Sequence, residues 1–204
     1  MLTPRPIIFI SLCLCLFSSE AAYLFDDTDE RFIKLDAEGE PLHSSATTWD
    51  CVLDRKTALI WEVKSTQGLR HRKNTYTWYN LNPQTNGDAA GFRNGGHCTG
   101  SECDTQSYIE AVNRQGLCGF HHWRLPSREE LRSLVNYRLR PPNPTINNGF
   151  FPQSLPRFYW SATPDANDSD SAWGIGFTFG YDYSYFKSDL GYVRLVTSEN
   201  RLNK

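Results

Sequence analysis

Apolar and polar positions divide the chain into an extended part, a loop-rich part, a helical part and a second extended part. Between Thr48 and Val63 apolar positions alternate, with Cys51, Leu53, Leu59, Trp61 and Val63 assigned to one face and Asp54-Arg55-Lys56-Thr57 between them. Two alternating runs around a polar quartet predict a β-hairpin. Tyr23 to Glu40 reads as an edge strand followed by a turn at Gly39. Residues 64–103 are rich in Gly, Asn, Thr and charge and predict long loops, with a short strand at Tyr76–Tyr79. Loops of that length in a compact domain are usually functional or poorly ordered.

Helical spacing appears twice. In the first helix Asp104 is the N-cap, Tyr108, Ile109 and Val112 share a face, and Gly116 follows the end. In the second, Pro126 closes an extended segment, Ser127 caps, Glu130 completes a capping box, and Leu131, Leu134 and Val135 form the inward stripe. Five of the eleven prolines fall between Arg140 and Pro156, which excludes regular structure there. Short strands are expected at Phe158–Ala162, Ala172–Phe179, Tyr183–Lys187 and Tyr192–Val196. Strands, two helices, loops and then strands again imply an α+β fold with antiparallel sheets.

The N-terminus changes the picture of where the chain acts. Arg5 precedes the apolar run Ile7–Phe17, broken only by Ser11, and Ser19 and Ala21 offer small residues for cleavage. This is the pattern of a secretory signal at residues 1–21, too short to span a bilayer. It leaves an extension at 22–47, a domain at 48–197 and a tail at 198–204, in the periplasm or outside the cell. The formal net charge of −2 gives no global attraction to nucleic acid or to an anionic membrane. Export also leaves Cys51, Cys98, Cys103 and Cys118, an even number that suggests two disulfides. Three pairings are possible; the favoured one makes Cys98–Cys103 a local staple and Cys51–Cys118 a long-range tie.

The candidate chemistry is that of binding. Arg70, Arg72 and Lys73 precede Tyr76 and Trp78, so cations able to pair with sulfate or carboxylate stand beside aromatic rings able to stack on sugars. A short basic run is also what a solvated surface looks like. Tyr181, Tyr183 and Tyr185 alternate onto one face as a second stacking platform or as sheet packing. Asp165, Asn167, Asp168 and Asp170 offer oxygen ligands to calcium but lack the glycine and distal glutamate of an EF-hand loop. Cys98, Cys103 and Cys118 with His121 or His122 have loose zinc spacing, and export favours disulfides instead. No nucleophile elbow, H-E-x-x-H or phosphate loop is present, so neither catalytic residues nor a metal or other cofactor is expected.

One resemblance is specific. Trp123-Arg124-Leu125-Pro126-Ser127 with Glu130 and Leu131 looks like a W-R-L-P-[ST]-x-x-E-L motif. Tyr159-Trp160-Ser161-Ala162 is similar to a Y-W-S-[ST] strand, Ala172-Trp173 to an A-W-x-V-x-F strand, and Tyr192–Val196 to a closing V-R-x-V strand. Upstream, Asp50–Asp54 and Leu59–Val63 resemble C-V-x-D and T-G-L-x-W-E segments, with Ala58 where a glycine is expected. These motifs resemble the Lcl C-terminal domain family, named for the last domain of a bacterial collagen-like adhesin. The resemblance implies a C-type-lectin-like fold of short antiparallel sheets, two helices and long loops. It also implies a non-enzymatic, adhesion-like role in binding sulfated or polyanionic glycans, the alternative being a structural component that binds an envelope protein. Within it Trp123, Arg124, Pro126, Ser127, Glu130, Trp160 and Trp173 have structural roles. The R-L-P-[ST]-x-x-E element is also similar to sulfatase-modifying factors. Their oxidase chemistry needs reactive cysteines, and no cysteine follows Cys118.

Overall fold

The computed structural model describes residues 31–199; the predicted leader at 1–21 lies outside them. The order is β1 (Phe32–Leu35), β2 (Cys51–Asp54), β3 (Leu59–Glu62), α1 (Thr105–Gln115), α2 (Arg128–Arg132), β4 (Phe158–Asp165), β5 (Asp168–Gly176), β6 (Tyr181–Phe186) and β7 (Val196–Thr197). Two antiparallel sheets result, a four-stranded one ordered β1-β2-β3-β7 and a three-stranded one ordered β4-β5-β6. The fold is α+β with short sheets, as the pattern implied.

The hairpin forms where expected, but its faces differ from the expectation. Cys51 stands opposite Glu62 and Leu53 opposite Ile60, so these four share one side, while Val52, Leu59 and Trp61 share the other. Every residue of both strands is buried. A sheet covered on both faces gives no inside-outside alternation to read. The first face joins Leu35, Trp78, Tyr108, Val112, Trp123 and Trp160 in one core cluster. The second joins Leu131, Phe151, Tyr159, Ile175 and Phe177 in another.

Both helices start as their caps require. Asp104 accepts from the Ser107 N–H, and Gly116 closes α1 in the left-handed region at φ 73°. The α2 capping box is complete, but the helix stops at Arg132 rather than reaching Val135. Ser133 donates its hydroxyl to the Glu130 carbonyl, and Leu134 and Val135 bond three residues back, so the last turn tightens.

Tyr76–Tyr79 is not a strand. Thr75, Tyr76, Thr77 and Tyr79 form single bridges to His97, Gly191, Asp104 and Gly91, so the segment threads between four partners. Between Arg132 and Phe158 there is no helix or strand, as the prolines required. The strands Phe158–Ala162 and Ala172–Phe179 extend toward each other into a long hairpin, with Asp165 opposite Asp168 at its tip. Of Tyr192–Val196 only Val196 enters β7, while Tyr192 makes a lone bridge to Tyr159.

Candidate functional site

The W-R-L-P motif is a joint between α1, α2 and the two sheets. Asn113 on α1 clamps the Trp123 backbone from both sides, accepting its N–H at 2.7 Å and donating to its carbonyl at 2.9 Å. The Trp123 indole N–H donates to the Leu117 and Phe120 carbonyls, and the ring is buried. Arg124 bridges to Val196 through its backbone and holds Glu130 by two side-chain bonds of 2.7 and 2.8 Å. The Arg124 bond and, more weakly, the Ser127 N–H and the Arg124 charge outweigh burial and hold the Glu130 carboxyl below its ordinary 4.5. The Pro126 carbonyl accepts from the Ala162 N–H. Trp160 is buried, donating to the Tyr76 carbonyl, and Trp173 lies under the Arg128 guanidinium at 4.9 Å.

The basic cluster is not assembled as a binding face. Arg70 is consumed internally: it pairs with Asp50 at 2.6 Å and donates to the Val63 carbonyl at 2.7 Å. Tyr76 and Trp78 are buried, with the Trp78 indole donating to the Ser161 carbonyl. They present no face to a sugar, which corrects their assignment to a stacking surface. The local sequence hides this, because two aromatics in a polar loop look exposed until the opposing strands are placed. Arg72 is half-buried and, of the three basic residues, only Lys73 is exposed.

A buried ionic network was not legible as such. Glu62 lies inside the first core cluster's side of β3 and accepts from Lys64 Nζ at 2.8 Å, from the Tyr108 hydroxyl and from the Leu195 N–H at 2.9 Å. Burial alone would raise its carboxyl, but the Lys64 charge and these three bonds together hold it below 4.5. Burial pushes Lys64 down and Tyr108 well up. Arg194, also buried, donates to the Glu62 carbonyl and to Ser154 Oγ. The available signal was a charge between apolar neighbours, in Trp61-Glu62-Val63 and Val193-Arg194-Leu195. Lys187 repeats the theme: it is buried and donates to the Asn86, Ala89 and Ser169 carbonyls, pinning the 80–91 loop to the β4–β6 sheet.

What remains exposed and apolar is concentrated on β6 and the turn just before it. Phe179, Tyr181, Tyr183 and Tyr185 are 53%, 60%, 36% and 42% exposed. Tyr183 and Tyr185 lie parallel with ring centres 5.9 Å apart, and Phe179 and Tyr181 at 6.2 Å. Alternation puts the three tyrosines on one face, as expected. Glycines of β5 make the floor: a Cβ on Gly176 would come within 2.8 Å of the Tyr183 ring, and one on Gly174 within 2.5 Å of Phe158. The Tyr183 ring thus lies over the bare backbone of Gly176.

The model of the Lcl C-terminal domain family matches residues 50–197. The chain belongs to the Lcl C-terminal domain family. No curated protein and no solved structure matched it.

In this Lcl C-terminal domain both disulfides form in the favoured pairing, Cys51–Cys118 and Cys98–Cys103. All four sulfurs are thereby paired, so none of them is a thiolate for nucleophilic or metal chemistry. His122 meets Glu199 and His121 meets the Asn113 carbonyl. Among the described residues of the domain, no three His, Cys, Asp or Glu side chains gather as a metal site. The acidic residues of the calcium candidate shape a hairpin tip instead: Asp165 accepts from the Asn167 N–H and Asp168 from the Asp170 N–H and the Ser171 hydroxyl. No helix among the described residues is long and apolar enough to cross a membrane.

Proposed function

We propose that this Lcl C-terminal domain is an exported, non-enzymatic recognition module of a bacterial envelope, and that its ligand is a carbohydrate held by stacking on β6. The reading rests on one observation. Of the nine exposed large apolar side chains among the described residues, five lie between Phe179 and Phe186. Concentrated exposed apolar surface marks an interaction site. Aromatic rings with a polar tip suit a pyranose, which offers an apolar C–H face and a rim of hydroxyls. Two disulfides fit an oxidising compartment. The ligand's charge is then secondary, because Arg72 and Lys73 alone remain of the basic cluster to attract sulfate.

A glycan array carrying neutral and sulfated sugars, run at low and high salt, tests this. We expect binding that changes little with salt and falls about tenfold in Tyr183→Ala, the worth of roughly one ring contact. Binding lost only in the Arg72→Ala/Lys73→Ala double variant, or no sugar bound, contradicts it. The second reading, a component docked on an envelope protein, draws on the open backbone edge of β6. A single dominant protein captured from envelope extracts would favour it.

A further inference from the structure

The outer side of β6 has no strand beside it among the described residues. Which of its backbone groups face outward follows from one bond. The Lys187 N–H donates to the Asp170 carbonyl, in the register that sets Tyr185 against Ala172 and Tyr183 against Gly174. Bonded and non-bonded pairs alternate along an antiparallel ladder. Tyr181, Tyr183 and Tyr185 therefore spend their backbone groups on β5, while Asp182, Ser184 and Phe186 turn theirs outward. The far side of β5 agrees, since Phe177 donates to the Arg157 carbonyl on the β4 side.

Edge strands are ordinarily guarded by lysine, proline, a bulge or a covering element. β6 has no proline, its register to β5 runs unbroken, and the adjoining Lys187 points inward. Its only acid, Asp182, faces Arg128 and Arg132 at 3.9 and 3.7 Å.

We propose that this edge pairs with the same edge of a second copy, antiparallel about a twofold axis through Tyr183. The segment Tyr181-Asp182-Tyr183-Ser184-Tyr185 is palindromic in character, with aromatic residues at the odd and polar residues at the even positions. An axis at Tyr183 sets Tyr183 against its own copy, Tyr181 against Tyr185, and Asp182 against Ser184. The outward groups of Asp182 and Ser184 then bond each other, and every aromatic pair stays on one face. An axis at Asp182 would oppose two carboxylates, which is unfavourable. The product is a continuous six-stranded sheet with a doubled aromatic row. Because the contact is made by backbone, it stands apart from what the rings bind.

Equilibrium sedimentation of the exported chain over a concentration series tests this, beside Ser184→Pro, which removes an outward N–H and leaves the ladder to β5 intact. The wild type should run as a dimer and Ser184→Pro as a monomer. Should Ser184→Pro fail to fold, Tyr183→Cys decides. Its Cα atoms would lie roughly 4.5 Å apart across the axis, close enough for a disulfide, while those of Tyr181→Cys would be roughly 14 Å apart. Only Tyr183→Cys should link on a non-reducing gel. A wild type monomeric at about 100 µM, a dimer that survives Ser184→Pro, or Tyr181→Cys linking as readily overturns the proposal. A Ser184→Pro monomer that still binds sugar leaves the carbohydrate reading intact, and a wild-type dimer that binds none leaves this one intact.

Discussion

At the scale of single residues, Ala58 shows how a departure from a motif becomes a measurable strain. Ala58 stands where the resembled T-G-L-x-W-E segment has glycine, and it adopts φ 57°, a left-handed conformation that crowds its Cβ. The residue is exposed. Ala58→Gly should therefore stabilise the domain by about 0.5–1 kcal/mol, after allowing for the looser unfolded chain, as read by denaturant midpoint at unchanged slope. Glu62 is the opposite case. Trp61-Glu62-Val63 marks a charge between apolar neighbours but not its partners, because Lys64, Tyr108 and Leu195 come to the carboxylate only in the fold.

At the scale of elements, the caps and turns were readable because their signals are local. Asp104, Gly116, Ser127 and Glu130 act within four residues of themselves. The disulfides act over different ranges. Cys51–Cys118 ties β2 to the turn after α1 across a separation of 67 residues, and Cys98–Cys103 closes a separation of 5. In the chain-entropy account the first is worth about 4 kcal/mol and the second about 2 kcal/mol. Cys51→Ala/Cys118→Ala should accordingly lower the unfolding free energy about twice as much as Cys98→Ala/Cys103→Ala, in equilibrium denaturation under oxidising conditions. Equal losses would mean that the short loop holds more than itself, through the Gly96 and Thr77 bonds to the Cys103 carbonyl.

At the scale of the whole molecule, the Glu62 network joins β3, α1, the segment before β7 and the Ser154 loop. Removing one member leaves another charge buried without compensation. Glu62→Gln should cost on the order of 3–5 kcal/mol, and adding Lys64→Met should recover part of it. The pH dependence follows from the sign of the shift. The Glu62 and Glu130 carboxyls are held below 4.5 in the folded chain. Their stabilisation is fully present above 4.5 and is lost as pH falls from there toward the depressed folded values. Acid titration of the wild type should show this loss, and Glu62→Gln should flatten its slope.

The sequence by itself determined the family, the α+β order, the hairpin and the helix starts. Each of these rests on neighbours in the chain or on a short motif. Tertiary structure alone decided which charges and rings are inside. Arg70, Tyr76 and Trp78 read as a surface and are spent on Asp50, the Tyr76–Gly191 bridge and Ser161. Tyr181, Tyr183 and Tyr185 read equally as core or surface and stand at an open edge. Burial is set by what packs from far along the chain, and a pattern of neighbours carries no record of it when both faces of a sheet are covered.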